Sequence, residues 1–239
     1  MSILSRERNA ESGVFGGCHM NGVMAFLQGR MGSRRLPGKT LMKIHGRSIL
    51  ERAINRLRAS PVVDAVAVLT TRRKEDDAIA AECERLDVPY YRGPENDVLV
   101  RFHEAAGIFK PEIVIRATAD NPLIEIGSIE RIVTALRSRG LDYCMEKDLP
   151  YGAATEAMTA AALAKAQAEA HEPRHREHVT LYIKEHPDLF IVSLLDPPPA
   201  VRRPDFRVTV DTPEDFEAME RLLGRFPETD AHIPLEKYF

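Results

Sequence analysis

The stretch "VMAFLQGRMGSRRLPGKTL", Val23 to Leu41, joins a six-residue run to a loop in which Arg30, Arg34, Arg35 and Lys39 stand among Gly29, Gly32 and Gly38. The run is apolar at every position before Gln28, the composition of a strand buried on both faces of a parallel sheet. Glycines and cations directly after such a strand occupy the carboxyl edge, where open α/β sheets bind ligands. Small residues let the backbone approach a ligand, and guanidinium forks grip phosphate oxygens in pairs. The stretch ends in Gly-Lys-Thr, as a P-loop does, yet the position five residues before Gly38 is Ser33 where that motif needs glycine. A P-loop lysine also opens a helix whose amides hold the phosphates. Here "TLMKIHG" is too short before Gly46 to be that helix. The loop therefore holds an anion in some other way.

Working outward, short apolar runs alternate with helix-period segments from Val23 onward, the pattern of a parallel sheet covered by helices. "DAVAVLTT" (64–71) reads as the next strand. Between the two, Ile49, Leu50, Ala53, Ile54 and Leu57 share one helix face behind Ser48 as N-cap. The spacing then predicts a helix over 75–86, a short strand near 88–93, a helix over 97–109 and a strand over 112–118. A helix over 126–140 closes on Gly140, a strand covers 141–146, and the alanine-rich 159–171 is helical. After Pro173 a further helix is expected over 174–186, and "FRVTV" (206–210) reads as a strand. Thr212, Pro213 and Asp215 follow it as N-cap, first-turn proline and capping-box acid. The fold class is α/β: a three-layer, doubly wound, mostly parallel sheet formed by residues 23–239 as one domain, with residues 1–22 as a mobile tail.

Composition narrows the function. A formal net charge of −3 argues against bulk nucleic-acid binding, so any anion site is local. The apolar runs are strand-length, which gives no expectation of a membrane span or signal peptide. Cys18, Cys83 and Cys144 are scattered, with no Cys-x-x-Cys pair. They suggest neither a disulfide framework nor a zinc ribbon, and a reducing cytoplasm is the expectation.

"QGRMGSRRLPGKTL" (28–41) resembles the first motif of the cytidylyltransferases that activate acidic sugars, the CMP-Kdo and CMP-sialic acid synthetases. It is most similar to the branch involved in spore-coat polysaccharide biosynthesis. "RGPENDVLVRF" (92–102), "IRATADNPLI" (115–124), "REHVTLYI" (176–183) and "RVTVDTPEDF" (207–216) resemble that branch's motifs in the same order. The resemblance implies a Rossmann-like nucleotide-diphospho-sugar transferase fold, often a homodimer, that transfers a nucleotidyl group with Mg²⁺. It implies nucleotide binding by Gln28, Gly29, Arg30, Gly32, Ser33, Arg35, Lys39 and Arg116, with Arg30 and Lys39 also serving catalysis. Asp120 and Asp211, each expected just past a strand end, would be catalytic acids that bind the metal. Two carboxylates beside phosphate oxygens suit Mg²⁺, which keeps several waters and takes few protein ligands.

Gly152 and Glu156 match the family's sugar-binding segment loosely, and Arg176 and His178 are placed by resemblance at the sugar pocket or a dimer contact. Asp97 reads as the N-cap of the helix after it. His171, His175 and His178 have spacings that could align on a helix face, but Pro173 interrupts them. The nucleotide is CTP or another triphosphate such as GTP, and the sugar stays open. Two other readings compete. A glycosyltransferase would commonly show an Asp-x-Asp motif where "TADNP" offers one aspartate. A non-catalytic nucleotide-binding module has less need of two carboxylates beside a polyanion.

Overall fold

The computed structural model describes residues 22–226 and 230–239. Apart from Gly22, the tail expected over residues 1–22 lies outside them. The strand over Val23–Gln28 (β1) is the axis of the architecture. It pairs in parallel with Ala65–Thr71 (β4) on one side and with Ile113–Thr118 (β6) on the other. A two-residue hairpin, Lys43–Ile44 (β2) and Arg47–Ser48 (β3), precedes β4. Tyr90–Gly93 (β5), Tyr143–Glu146 (β7), Glu156–Thr159 (β8) and Val192–Leu195 (β9) complete a seven-stranded sheet in the order β5-β4-β1-β6-β8-β7-β9. Within that sheet, among the described residues, only β8 runs antiparallel to its neighbours.

Both faces of β1 are buried, as its unbroken apolar run requires. Val23, Ala25 and Leu27 pack on Leu50 and Ile54 of helix Ile49–Arg58 (α1), Ile79 of Asp77–Arg85 (α2) and Ile132 of Ile126–Arg139 (α4). Met24 and Phe26 face the other layer: Phe102 of Val98–Phe109 (α3), Leu163 of Ala160–Glu169 (α5) and Ile183 of Leu181–Glu185 (α7). Each such Leu, Ile or Phe taken out of water contributes about 1.5–3 kcal/mol before entropy is counted. A third cluster sits at one end, where Ile44 and Leu123 meet Val208, Val210 and Leu223, the last on helix Pro213–Leu223 (α8).

Local sequence fixes the helix starts. Ser48, Asp97, Thr159 and Thr212 each accept from the backbone amide three residues on, so a donor that the helix cannot satisfy is bonded. At Thr212 the box is complete, with Asp215 accepting from the Thr212 amide.

Three expectations change. "FRVTV" is not a sheet strand: it makes a single bridge, Tyr151 to Arg207, and its Val210 amide bonds to the Asp120 carbonyl at 2.9 Å. Its alternation is satisfied because Val208 and Val210 bury in the third cluster instead of in a sheet face. Residues 174–186 form two short helices, Pro173–Glu177 (α6) and α7, because His178 leaves helical geometry at φ −104°, ψ 83°. Strands β8 and β9 lie in segments where no strand was expected.

From β1 the chain winds outward through β4 to β5, then returns by α3 to β6 on the opposite side. The winding direction therefore reverses between β1 and β6, which opens a crevice at their carboxyl ends. There Gly29 passes Ala119 so closely that a Cβ on Gly29 would lie 2.8 Å from the Ala119 Cβ.

Candidate active site

Three chain segments converge on this crevice: the loop after β1, the turn after β6 and the extended segment before α8. Lys39 is nearly buried. Its ammonium donates to Asp120 Oδ2 at 2.9 Å, Asp211 Oδ1 at 2.8 Å and the Val210 carbonyl at 2.9 Å. Arg35 reaches the same Asp211 oxygen at 3.0 Å, and Arg207 donates to Asp211 Oδ2 at 2.7 Å. Burial pushes the Asp211 carboxyl up, but Lys39, Arg35 and Arg207 outweigh it and hold the group below the usual aspartate range. Asp215 steadies the arrangement by accepting from the Asp211 amide and from Arg207, chiefly the latter drawing its carboxyl down to about 2.

The loop itself is pinned rather than free. The buried carboxylate of Asp76 accepts from the Met31 amide at 2.7 Å and from the Thr71 hydroxyl, while Thr40 donates to the Arg30 carbonyl at 3.0 Å. Gly38 takes φ +73°, a left-handed conformation that glycine adopts without strain. Arg30, half exposed, pairs with Glu95 at 3.5 Å. Ser33 accepts from the Leu36 amide, and Gly32 lies exposed on the loop.

Beside the two acids a pocket of about 460 Å³ opens between β6 and the Met145–Gly152 segment. Arg35, Arg116, Asp120, Gly152, Glu156 and Asp211 all line it. Gly152 has φ +98°, and a Cβ there would meet the Thr209 amide nitrogen at 2.8 Å. Glu156 lies deep, accepting from Arg116, from the Tyr143 and Thr180 hydroxyls and from the Lys184 ammonium. Its burial raises the carboxyl, and Arg116, Lys184 and Tyr143 reverse that to about 2. Arg116 also donates through Nε to Gln28 at 3.2 Å, across the β1–β6 pair.

Arg176 and His178 do not join the pocket lining. Arg176 is tied to Asp97 at 2.6 Å and to the Gln167 and Ala170 carbonyls, and His178 is exposed where α6 ends. Asp97 thus caps α3 and anchors Arg176 together. His175 is buried against Glu185, with Nε2 2.8 Å from Oε2. Among the described residues no three His, Cys, Asp or Glu side chains gather to hold a metal. Asp120 and Asp211 nevertheless both reach one ammonium, so their oxygens converge on a single point. This pair fits a hard divalent cation completed by phosphate and water oxygens.

Sequence reasoning missed Asp76, Arg207 and the Tyr143, Thr180 and Lys184 partners of Glu156. The acids of "RRKEDD" just past β4 were the available signal for Asp76, since that position is again a carboxyl strand end. Nothing local marked Tyr143, Thr180 or Lys184.

A doubly wound sheet whose switch-point crevice joins a pinned, arginine-rich loop to two facing carboxylates defines a nucleotidyltransferase. The chain belongs to the cytidylyltransferase family, whose model matches residues 24–237. It is 41% identical over 204 residues to the uncharacterized protein MJ1063 of Methanocaldococcus jannaschii, covering 85% of this chain and 84% of that one. It is 34% identical over 220 residues to the spore coat polysaccharide biosynthesis protein SpsF of Bacillus subtilis, covering 89% and 92%. A cytidylyltransferase structure from Leptospira borgpetersenii superposes with TM-score 0.82 at 27% identity over 92% of each chain. Among the described residues no helix is long and apolar enough to cross a membrane.

Proposed function

We propose that this protein transfers a cytidylyl group from CTP to a hydroxyl of an acidic sugar, giving a CMP-sugar, pyrophosphate and a proton. The observation that carries the reading is the meeting of Lys39, Asp120 and Asp211 at one point beside the pocket. In this reading the Gly29–Lys39 loop cradles the triphosphate. Gly29, Gly32 and Ser33 let the chain approach it, and Arg30, Arg35 and Lys39 offset its charge. The sugar lies in the pocket with its hydroxyl in line with the α-phosphorus. The new P–O bond forms as the bond to the pyrophosphate oxygen breaks. The protein's work is positioning and charge stabilisation, with no covalent intermediate. Asp120 and Asp211 would hold Mg²⁺, which when bound offsets the charge on the phosphates and the departing pyrophosphate.

A role in surface polysaccharide assembly is supported by the relative from Bacillus subtilis. A homodimer belongs to the same reading. The outer edge of β9 and the exposed Ile191 and Leu194 supply apolar surface for a second copy, which sedimentation velocity would detect. A cytoplasmic setting suits a CTP-dependent enzyme with unpaired, buried Cys83 and Cys144.

The test is the thermal shift with CTP, UTP, GTP and ATP in turn, each with Mg²⁺. CTP at one hundred times Kd should add about 2.7 kcal/mol of apparent stability. A response confined to another nucleotide moves the base assignment, and a response to none sinks the transferase reading.

A further inference from the structure

The pocket floor points to how the acceptor is chosen, on the basis of the cytidylyl-transfer reading. Arg116 stands on β6, four residues before Asp120, and lines the pocket rather than the loop after β1. Two of its three guanidinium nitrogens are committed: Nε donates to Gln28 and Nη1 to Glu156. Among the described residues none accepts from Nη2. Glu156 is gripped on every side, since the Tyr143 and Thr180 hydroxyls and the Lys184 ammonium also donate to it. Only 7% exposed, with three donors on Oε1 and Arg116 on Oε2, it is committed mainly to protein partners.

Charge sharpens the point. Two cations, Arg116 in the lining and Lys184 outside it, hold one carboxylate, and the neighbouring phenol of Tyr143 is kept neutral by burial. The cluster therefore carries one positive charge that the protein does not cancel. The other acids of the lining are offset elsewhere. Glu146 is held by Arg131 at 2.5 and 2.9 Å, Asp148 by Arg202 at 2.7 Å, Asp120 by Lys39, and Asp211 by Lys39, Arg35 and Arg207. At the aspartate end Lys39, Arg35 and Arg207 are matched by Asp120, Asp211 and Asp215, so the uncancelled positive charge lies at the floor.

We infer that Arg116 is the carboxylate-recognising residue for the acceptor sugar, and that Glu156 is a positioning residue that holds its guanidinium edge toward the pocket instead of touching the sugar. The ligand class is a sugar acid whose carboxylate lies at the floor while its transferring hydroxyl lies near Asp120 and Asp211. In this inference Arg116 serves the sugar instead of the nucleotide, and Glu156 serves Arg116 instead of the sugar.

The test uses calorimetry on the full chain with Mg²⁺. The probes are 3-deoxy-manno-octulosonate, N-acetylneuraminate and the methyl ester of each, with and without α,β-methylene-CTP, whose bridging carbon blocks transfer. At least one acid should bind the native protein, and its ester at least about tenfold more weakly, the loss expected for one charge-assisted pair. Arg116→Gln should bind acid and ester alike while keeping its affinity for α,β-methylene-CTP. Arg116→Lys keeps the charge but not the fork, and should recover only part of the discrimination. Glu156→Gln should weaken binding of the acid although it makes the floor more positive, so tighter binding would overturn the positioning role. Equal binding of acid and ester by the native protein, binding of neither acid, or an Arg116→Gln loss as large for α,β-methylene-CTP as for the acid would each overturn the inference. Failure of α,β-methylene-CTP to bind the native protein would instead sink the cytidylyl reading, and the titrations without nucleotide still decide the role of Arg116.

Discussion

Lys39 bonds two carboxylates and a carbonyl from distant parts of the chain, so its loss affects both charge and structure. Lys39→Met leaves Asp120 and Asp211 facing each other, and the melting temperature should fall; added Mg²⁺ should restore more of it than in the native protein. The same variant should weaken CTP binding far more than CMP binding, whereas equal weakening would mark Lys39 as structural. Asp211→Asn keeps an oxygen for Lys39 and alters little packing. Its turnover should drop by about a hundredfold or more, as for loss of a transition-state electrostatic group, with a melting temperature near that of the native protein. Glu156 supplies a pH test. Its carboxyl, 4.5 in ordinary surroundings, is held at about 2 in the fold. A depressed carboxylate stabilises the folded state fully above its unfolded value, and that contribution disappears as pH falls through the folded value. The stability gap between the native protein and Glu156→Gln should therefore shrink as acid denaturation is followed from pH 5 toward pH 2, on the order of 3 kcal/mol in all.

Elements carry a second set of consequences. Asp97 ends one element and fastens another, since it caps α3 and holds Arg176 of α6. Asp97→Ala should cost about 2–3 kcal/mol, the sum of a lost cap and an unpaired, partly buried guanidinium, while leaving CTP affinity in place. Gly152→Ala should destabilise by about 1–3 kcal/mol or more, because positive φ and the approach to Thr209 both oppose a Cβ. Chemical denaturation measures either. Where local signals were strong the elements were legible: the double-faced run of β1, the caps Ser48, Asp97 and Thr212, and the Gly140 that closes α4 in the left-handed conformation. Legibility failed where tertiary partners decide. "FRVTV" has a strand's alternation, but its buried valines serve the third cluster. β8 is four residues placed directly before a helix, too short for periodicity to register.

For the whole molecule, the winding order says more about the site than any single motif. The crevice arises because the chain reverses direction between β1 and β6, so residues following those strands meet without being near in sequence. Asp120 and the glycine-arginine loop were readable because both follow strong strands. Arg207, Asp76 and the Tyr143, Thr180 and Lys184 partners of Glu156 were not, since their roles exist only after the sheet has brought remote segments together. The acidic overall balance of −3 agrees with a site whose cations are concentrated in one loop and one pocket floor, each pinned by nearby carboxylates.

The junction of Val210 with Asp120 has a bearing on the order of events during synthesis. Lys39 and Asp211 are 172 positions apart. A nascent polypeptide can therefore possess β1, its loop and Asp120 long before it possesses a complete pair of acids. Closing so distant a contact is entropically slow, and it comes after the local pairings of the sheet. The pair of acids is therefore complete only once the segment carrying Asp211 has docked against the turn after β6, which makes that docking a late step in folding.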